Sequence, residues 1–421
     1  MLSGADECFL PASGASPEWE TETAGIPLSP CRITVDLSAL QGNFLALCAD
    51  LRTRGESPRP ICVVKADAYG HGAAACAAAL AAVGADFFAV ATLGEALSLR
   101  RTVPGADILL LSPAPRGAAP LLLRERISAT VGSAADVLAI TRALPAPPRA
   151  GAARSRPPYA GIPAGRVACH IKLDSGMHRL GFPITGGERA ALDTCRALVR
   201  QEGWYPYGLY SHLAAADDPA SPLTGEQVAC FSRAAAEFRR AGLCRFSHLA
   251  ASAGVLRFGS MGMDGVRFGI ALYGIPPAPT LPFPPALAPR MRAVMRMEST
   301  LTRVFLLPRG ACAGYGGAYR ARRDTRVGVA AVGYADGLPR AATGAMLGVG
   351  GGNARIIGKV CMDACLLRLG TLSAAPGDPV TVWDESGRRL SALAARARTI
   401  PYELLCRASR RAERRYIFDQ E

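Results

Sequence analysis

The chain has 421 residues, half of them hydrophobic, which is enough for two domains and a sizeable buried core. Its formal charge of +14 sets 48 Lys and Arg against 34 Asp and Glu, but the arginines are scattered, with no basic stripe interleaved with aromatics, so nucleic acid is not an expected partner. No apolar run reaches membrane-spanning length and no leader pattern opens the sequence; a cytoplasmic protein without a membrane partner is expected.

In chain order, residues 1–30 are polar, small and punctuated by proline, and read as a flexible N-terminal extension. RITVDL (32–37) reads as a short strand, followed by a helical stretch to about Leu51. Eight apolar, strand-like runs follow, at 61–66, 86–91, 107–112, 127–131, 167–174, 206–212, 245–252 and 265–273. Helical stretches at 73–83, 94–101, 133–144, 187–201 and 224–241 separate most of them, with Ser133 and Thr224 as candidate N-caps. Eight strands in a βα repeat predict an α/β fold, a (β/α)8 TIM-type barrel over 31–277, with a doubly wound open sheet as the alternative. The Pro-, Ala-, Gly- and Arg-rich segment 145–166 interrupts the rhythm as an irregular insertion between the fourth and fifth strands. After about residue 275, β-branched runs separated by Gly, Pro and Asp turns predict a mainly-β C-terminal domain, 278–421, with a barrel-like closure among its arrangements.

Thirteen cysteines contain no CxxC pair, and Cys361 and Cys365 have no histidine at ligand spacing, so reduced thiols and no metal are expected. Lysine is more informative. It occurs only at Lys65, Lys172 and Lys359, with arginine at every other strongly basic position. Arginine keeps its charge, whereas lysine can lose a proton and form a Schiff base, so the surviving lysines are candidates for covalent chemistry. Lys65 ends the first barrel strand, before a loop of Tyr69, Gly70, His71 and Gly72, and strand C-termini carry the active sites of such barrels.

The segment VVKADAYGHG (63–72) resembles the cofactor-lysine signature of the alanine racemase family, fold-type III pyridoxal 5'-phosphate (PLP) enzymes. The resemblance extends from about Ile33 to Tyr416 and includes HIKLDSGMHRLG (170–181), YSH (210–212), VRFGI (266–270), GYG (314–316), GYADG (333–337), CMD (361–363) and PYE (401–403). It implies that Lys65 holds the cofactor and that Tyr69, Ser252, Gly269, Ile270 and Tyr402 surround its phosphate. Arg179 would contact the cofactor's phenolic oxygen and the substrate carboxylate, and Lys172 would be carbamylated to orient that arginine. The alternative for Lys172 is an ordinary ion pair with Asp174. His212 would lie against the cofactor ring and link Arg267 to Tyr315, while Arg267 would face the ring nitrogen and disfavour its protonation.

The same resemblance makes Lys65 and Tyr315 two opposed acid/base groups, one on each face of the substrate's α-carbon, the arrangement that inverting a stereocentre requires. Tyr315 and Met362 would reach the partner's site in a head-to-tail homodimer, with Met362 limiting substrate size and Tyr334 and Asp336 at the substrate entrance. The implied activity is interconversion of L- and D-alanine, supplying D-alanine for peptidoglycan. A departure is Ala251-Ser252, where the family commonly has Asn-Ser. A serine or broad-specificity racemase, a decarboxylase on the same architecture and a non-catalytic PLP-binding protein are the alternatives.

Overall fold

The computed structural model describes residues 29–144, 162–409 and 411–418; the extension expected over 1–30 and the insertion expected over 145–166 fall almost wholly outside them. The chain opens with β1 (Arg32–Asp36) and α1 (Leu37–Thr53), whose first turn is capped by the Asp36 carboxylate accepting the Ala39 N–H. The eight runs then form eight parallel strands: β2 (Arg59–Val63), β3 (Phe87–Val90), β4 (Asp107–Pro113), β5 (Ser128–Val131), β6 (Val167–Asp174), β7 (Trp204–Tyr210), β8 (Phe246–His248) and β9 (Gly265–Phe268). Each pairs with its neighbours, and β9 pairs back onto β2 with Arg267 opposite Ile61, so the sheet is a closed barrel and not an open one. The runs are near-continuously apolar because both faces of these strands are covered. The covering helices are α2 (Ala73–Ala82), α3 (Leu93–Thr102), α4 (Ala119–Arg124), α5 (Ala134–Thr141), α6 (Arg189–Leu198), α7 (Leu223–Arg240) and α8 (Ser252–Phe258).

Ser133 caps α5 as expected, its hydroxyl accepting the Asp136 N–H at 3.2 Å. Thr224 does not cap α7. Pro222 already has helical angles (φ −71°, ψ −20°), so no extended residue precedes the helix and Thr224 lies inside its first turn. Three runs are also shorter as strands than their apolar lengths. The first stops at Val63, leaving Lys65 in the turn beyond; the seventh stops at His248; the eighth stops at Phe268 and gives way to a 3₁₀ turn, Ile270–Tyr273.

The second unit contains β10 (Met295–Leu307), β11 (Thr325–Ala330), β12 (Met346–Val349), β13 (Gly352–Ile357), β14 (Cys365–Arg368), β15 (Pro379–Trp383), α9 (Arg388–Arg396), α10 (Pro401–Arg407) and β16 (Glu413–Ile417). Strands β11-β14-β13-β12-β15-β10 lie side by side, and β10 is long enough to pair with both β15 and β11, which closes a six-stranded antiparallel ring. β1, counted with the barrel in the sequence reading, belongs to this sheet: it runs antiparallel to β10 and parallel to β16. Its buried Ile33 and Val35 find an apolar surface there, and one hydrophobic cluster continues through both units. α10 meets the barrel mouth. A Cβ on Gly70 (φ 81°) would sit 2.1 Å from the Leu405 carbonyl oxygen, so only glycine allows this approach.

Candidate active site

Lys65 begins a turn that runs against the usual hand. Ala66, Asp67, Ala68 and Tyr69 all have φ between 53° and 55°, forming one left-handed turn between β2 and α2. Each such non-glycine residue costs about 1–2 kcal/mol, so the turn persists only through its contacts. The Ala68 N–H bonds the Val64 carbonyl and the Gly70 N–H the Ala66 carbonyl, both at 2.9 Å. The Asp67 carboxylate accepts the Ala73 N–H at 2.7 Å, and Glu95 accepts the Ala66 N–H at 2.7 Å. Held this way, the half-buried Lys65 amine is lowered from its ordinary pKa by burial first, then by the Arg179 charge.

Beyond Lys65 a cradle forms at the ends of β8 and β9. The buried Ser252 hydroxyl accepts N–H groups from Gly269 (3.0 Å) and Ala271 (3.2 Å), which leaves its own proton free to donate. A Cβ on Gly269 would lie 3.0 Å from Tyr69 Oη and 3.5 Å from Ser252 Oγ, so the three groups share one small space. Ile270 follows at the start of the 3₁₀ turn, and Tyr402 approaches from α10 with its ring centroid 6.1 Å from that of Tyr69. Hydroxyl protons beside the open space at Gly269, together with the Ile270 N–H at the start of the turn, are a donor set a phosphate takes, so these residues fit the phosphate end of PLP.

Arg267, buried on β9, is the electrostatic hub. It donates to the carbonyls of Ser211 (2.9 Å) and Leu249 (2.7 Å), to Nδ1 of His212 (3.2 Å) and to Nδ1 of His248 (2.5 Å). No carboxylate among the described residues pairs with it, and burial lowers its pKa to about 10, still charged at neutral pH. His212 accepts this proton, so its Nδ1 is bare; burial and then Arg267 hold it well below the ordinary imidazole value. Lys172 on β6 lies 5.4 Å from the centroid of the Tyr210 ring, and its pKa is lowered to about 8 by burial, Arg179, Arg267 and Lys65. The alternative ion pair with Asp174 does not form. The Asp174 Oδ1 accepts the N–H groups of Gly176, Met177 and His178 at 2.9–3.0 Å, and Oδ2 meets the His178 ring at 3.3 Å. That carboxylate shapes the loop carrying the exposed Arg179.

The remaining candidates lie on the second unit. Tyr315 and Met362 are 66% and 53% exposed, and among the described residues no hydrogen bond or ring contact joins Tyr315 to Lys65, His212 or Arg267. Their loops are neighbours: a Cβ on Gly316 would come 3.8 Å from Lys359 Nζ, and the Tyr334 and Ala335 N–H groups bond the Cys361 and Met362 carbonyls at 3.0 Å. Tyr334 is exposed. Asp336 is buried and spent on the Gly333 N–H (2.8 Å) and Arg411 (2.9 Å), so it holds the turn from inside. Residue-by-residue reading passed over Glu95, Tyr210, His248 and the role of His170. Only Glu95 carried a local signal, the Thr92-x-x-Glu95 capping box.

A closed (β/α)8 barrel with a depressed lysine, a built anion cradle and a buried arginine at its C-terminal mouth, joined to a β domain, defines a two-domain barrel enzyme. Residues 35–277 match the alanine racemase N-terminal domain and 294–416 the alanine racemase C-terminal domain. The chain is 37% identical over 388 residues to a catabolic alanine racemase of Pseudomonas aeruginosa, covering 91% of this chain and 98% of that protein. It is 33% identical to an alanine racemase of Symbiobacterium thermophilum (92% and 97% covered). Among solved structures, the alanine racemase of Streptomyces coelicolor A3(2) superposes with a TM-score of 0.81 at 32% identity (94% and 99% covered). That of Bartonella henselae, with covalently bound pyridoxal phosphate, gives 0.76 at 26% (92% and 99%). The chain belongs to the alanine racemase family.

Proposed function

We propose that this chain interconverts L- and D-alanine with PLP held on Lys65, and that two copies share their active sites. The observation that carries the reading is the Lys65 amine, held below its ordinary pKa beside a cradle of Tyr69, Ser252, Gly269, Ile270 and Tyr402 that suits a phosphate. When bound, the cofactor supplies an electron-withdrawing ring that acidifies the substrate's α-carbon. Arg267 would set its cation against the ring nitrogen and disfavour its protonation. Arg179 binds the substrate carboxylate, helped by Lys172: burial and the neighbouring cations Arg179, Arg267 and Lys65 favour its neutral amine, which can add CO2, release a proton and become an anionic carbamate. Lys65 holds or returns the proton on one face of the α-carbon. Tyr315 of a second copy does so on the other, linked through His212, with Met362 beside it limiting side-chain size and Tyr334 at the entrance. The exposure of Tyr315 and Met362 in the single chain supports this shared arrangement.

The test is to assay the purified protein in both directions with L- and D-alanine, after borohydride reduction of a parallel sample and mapping of the pyridoxyl label. Activity in both directions and label on Lys65 are expected. A protein that takes up no PLP, or carries the label on Lys359, overturns the assignment. A wider substrate range is supported by one observation: Ala251, half-buried at the start of α8, offers no side-chain hydrogen bond there. Relative rates on alanine and serine decide it.

A further inference from the structure

Beneath the arginine, the barrel interior holds a string of rings. His248 on β8 receives an Arg267 N–H at Nδ1 (2.5 Å), and its Nε2 faces Nδ1 of His170 on β6 at 3.0 Å. Both histidines are wholly buried. Tyr210 stacks on His248 with centroids 4.7 Å apart and planes 8° from parallel, which fixes the plane of that imidazole. Gly208 makes room for the other: a Cβ there would lie 2.1 Å from His170 Nδ1.

Proton counting along this string has a single solution. A guanidinium has only donors, so His248 Nδ1 must be bare and its proton must sit on Nε2. That proton points at His170 Nδ1, which must therefore also be bare, leaving the second proton on His170 Nε2, an atom with no protein partner among the described residues. Burial, reinforced by Arg267, pushes His170 down to about 3 and His248 well below the ordinary imidazole range, so neither ring takes a further proton at neutral pH.

We infer that His170 is a positioning residue: by accepting the His248 Nε2 proton it locks His248 in the tautomer that can receive Arg267, and so fixes the guanidinium from below. Without this acceptor, His248 is free to carry its proton on Nδ1, where it would confront an Arg267 N–H. The catalytic consequence rests on the reading of Arg267 given above; the tautomer does not.

The experiment uses holoenzyme with 15N-labelled histidine; five histidines give a resolvable set. In the unaltered protein, two-bond correlations should show His170 and His248 neutral and protonated on Nε2; a proton on His248 Nδ1 overturns the inference. His170→Leu removes the acceptor, and His248 should then lose its single Nε2–H signature while kcat falls about tenfold and KM changes little, the loss of one hydrogen bond to a charged network. His170→Asn presents a carbonyl and should restore both. A folded Leu variant with the His248 signature and kcat intact, or an Asn variant as impaired as Leu, overturns the lock. Should the Leu variant not fold, Gly208→Ala crowds the same nitrogen and is expected to disturb the same His248 signal; an undisturbed signal overturns it. A shifted tautomer with unchanged kcat instead removes the role given to Arg267 and leaves the lock standing.

Discussion

Glu95 Oε1 accepts the backbone N–H of Ala66 at 2.7 Å, fastening the residue after Lys65 to the first turn of α3. Its other oxygen accepts the N–H groups of Ala91 and Thr92 at 2.8 and 3.0 Å, so one carboxylate serves a helix cap and a strained turn together. Glu95→Ala should destabilise the protein by about 2–4 kcal/mol and weaken PLP retention, because hydrogen bonds to a charged acceptor contribute about 1.5–3 kcal/mol each. Thr92→Ala, which removes the cap and spares Ala66, should cost about 1 kcal/mol and leave PLP retention unchanged. Denaturant unfolding and PLP titration of the two variants check this; equal loss of PLP from both would contradict it.

Lys172 has a pKa of about 8, so about one amine in ten is neutral at pH 7, against about one in three thousand for an ordinary lysine. Only the neutral amine adds CO2. With 13C-bicarbonate, a protein carbamate signal should appear, strengthen between pH 7 and 9, and be missing from Lys172→Ala. A signal that survives in that variant belongs to another amine.

At Gly269 the space between Tyr69 Oη and Ser252 Oγ is the proposed phosphate seat. A methyl group fills it. Gly269→Ala should raise the dissociation constant for PLP at least tenfold, about 1.4 kcal/mol, with little change in thermal stability. Fluorescence titration of the apoprotein measures it, and unchanged affinity would place the phosphate elsewhere.

If Lys65 of one copy works with Tyr315 of another, two dead variants should complement. Lys65→Ala and Tyr315→Ala are each expected to be inactive; after mixing and subunit exchange, activity should reappear from mixed dimers with one intact site. Persistent inactivity in verified mixed dimers would mean that both residues act within one chain.

Acid should unfold the protein through its buried histidines. His71 is held at about 4 by burial, although the Ala68 and Tyr69 carbonyls at its ring oppose the shift, and His170 at about 3. Both folded values lie below the unfolded value of about 6.5, so the unfolded chain binds more protons between them. Stability is therefore present in full above pH 6.5 and lost as pH falls towards 4, by about 1.4 kcal/mol per pH unit for each such histidine. Urea midpoints at pH 7, 5.5 and 4.5 should fall in that order, and His71→Gln should flatten the trend.

Much of this was legible because the barrel writes itself locally: eight apolar runs, separated by helices, needed only their count. Lys65 stood out because arginine had displaced nearly every other lysine. What escaped depends on distant pairing. His170 and His248 are 78 residues apart and meet only through barrel closure. β1 has the pattern of a barrel strand, and nothing in Arg32–Asp36 says that its partners are β10 and β16. Thr224 failed for the opposite reason, since a local rule was overridden by the helical proline two residues before it.

That placement of β1 has a consequence for how the molecule is made. The strand leaves the ribosome first among the described elements, yet its antiparallel partner begins at Met295, about 260 residues later. At synthesis rates of about 5–20 residues per second, Ile33 and Val35 wait roughly ten to fifty seconds for that partner, while β2–β9 are made. The newborn chain thus carries an apolar strand without its antiparallel partner while the barrel strands are made. Mistakes in assembly, and the attention of chaperones, should concentrate on that short segment and not on the catalytic barrel.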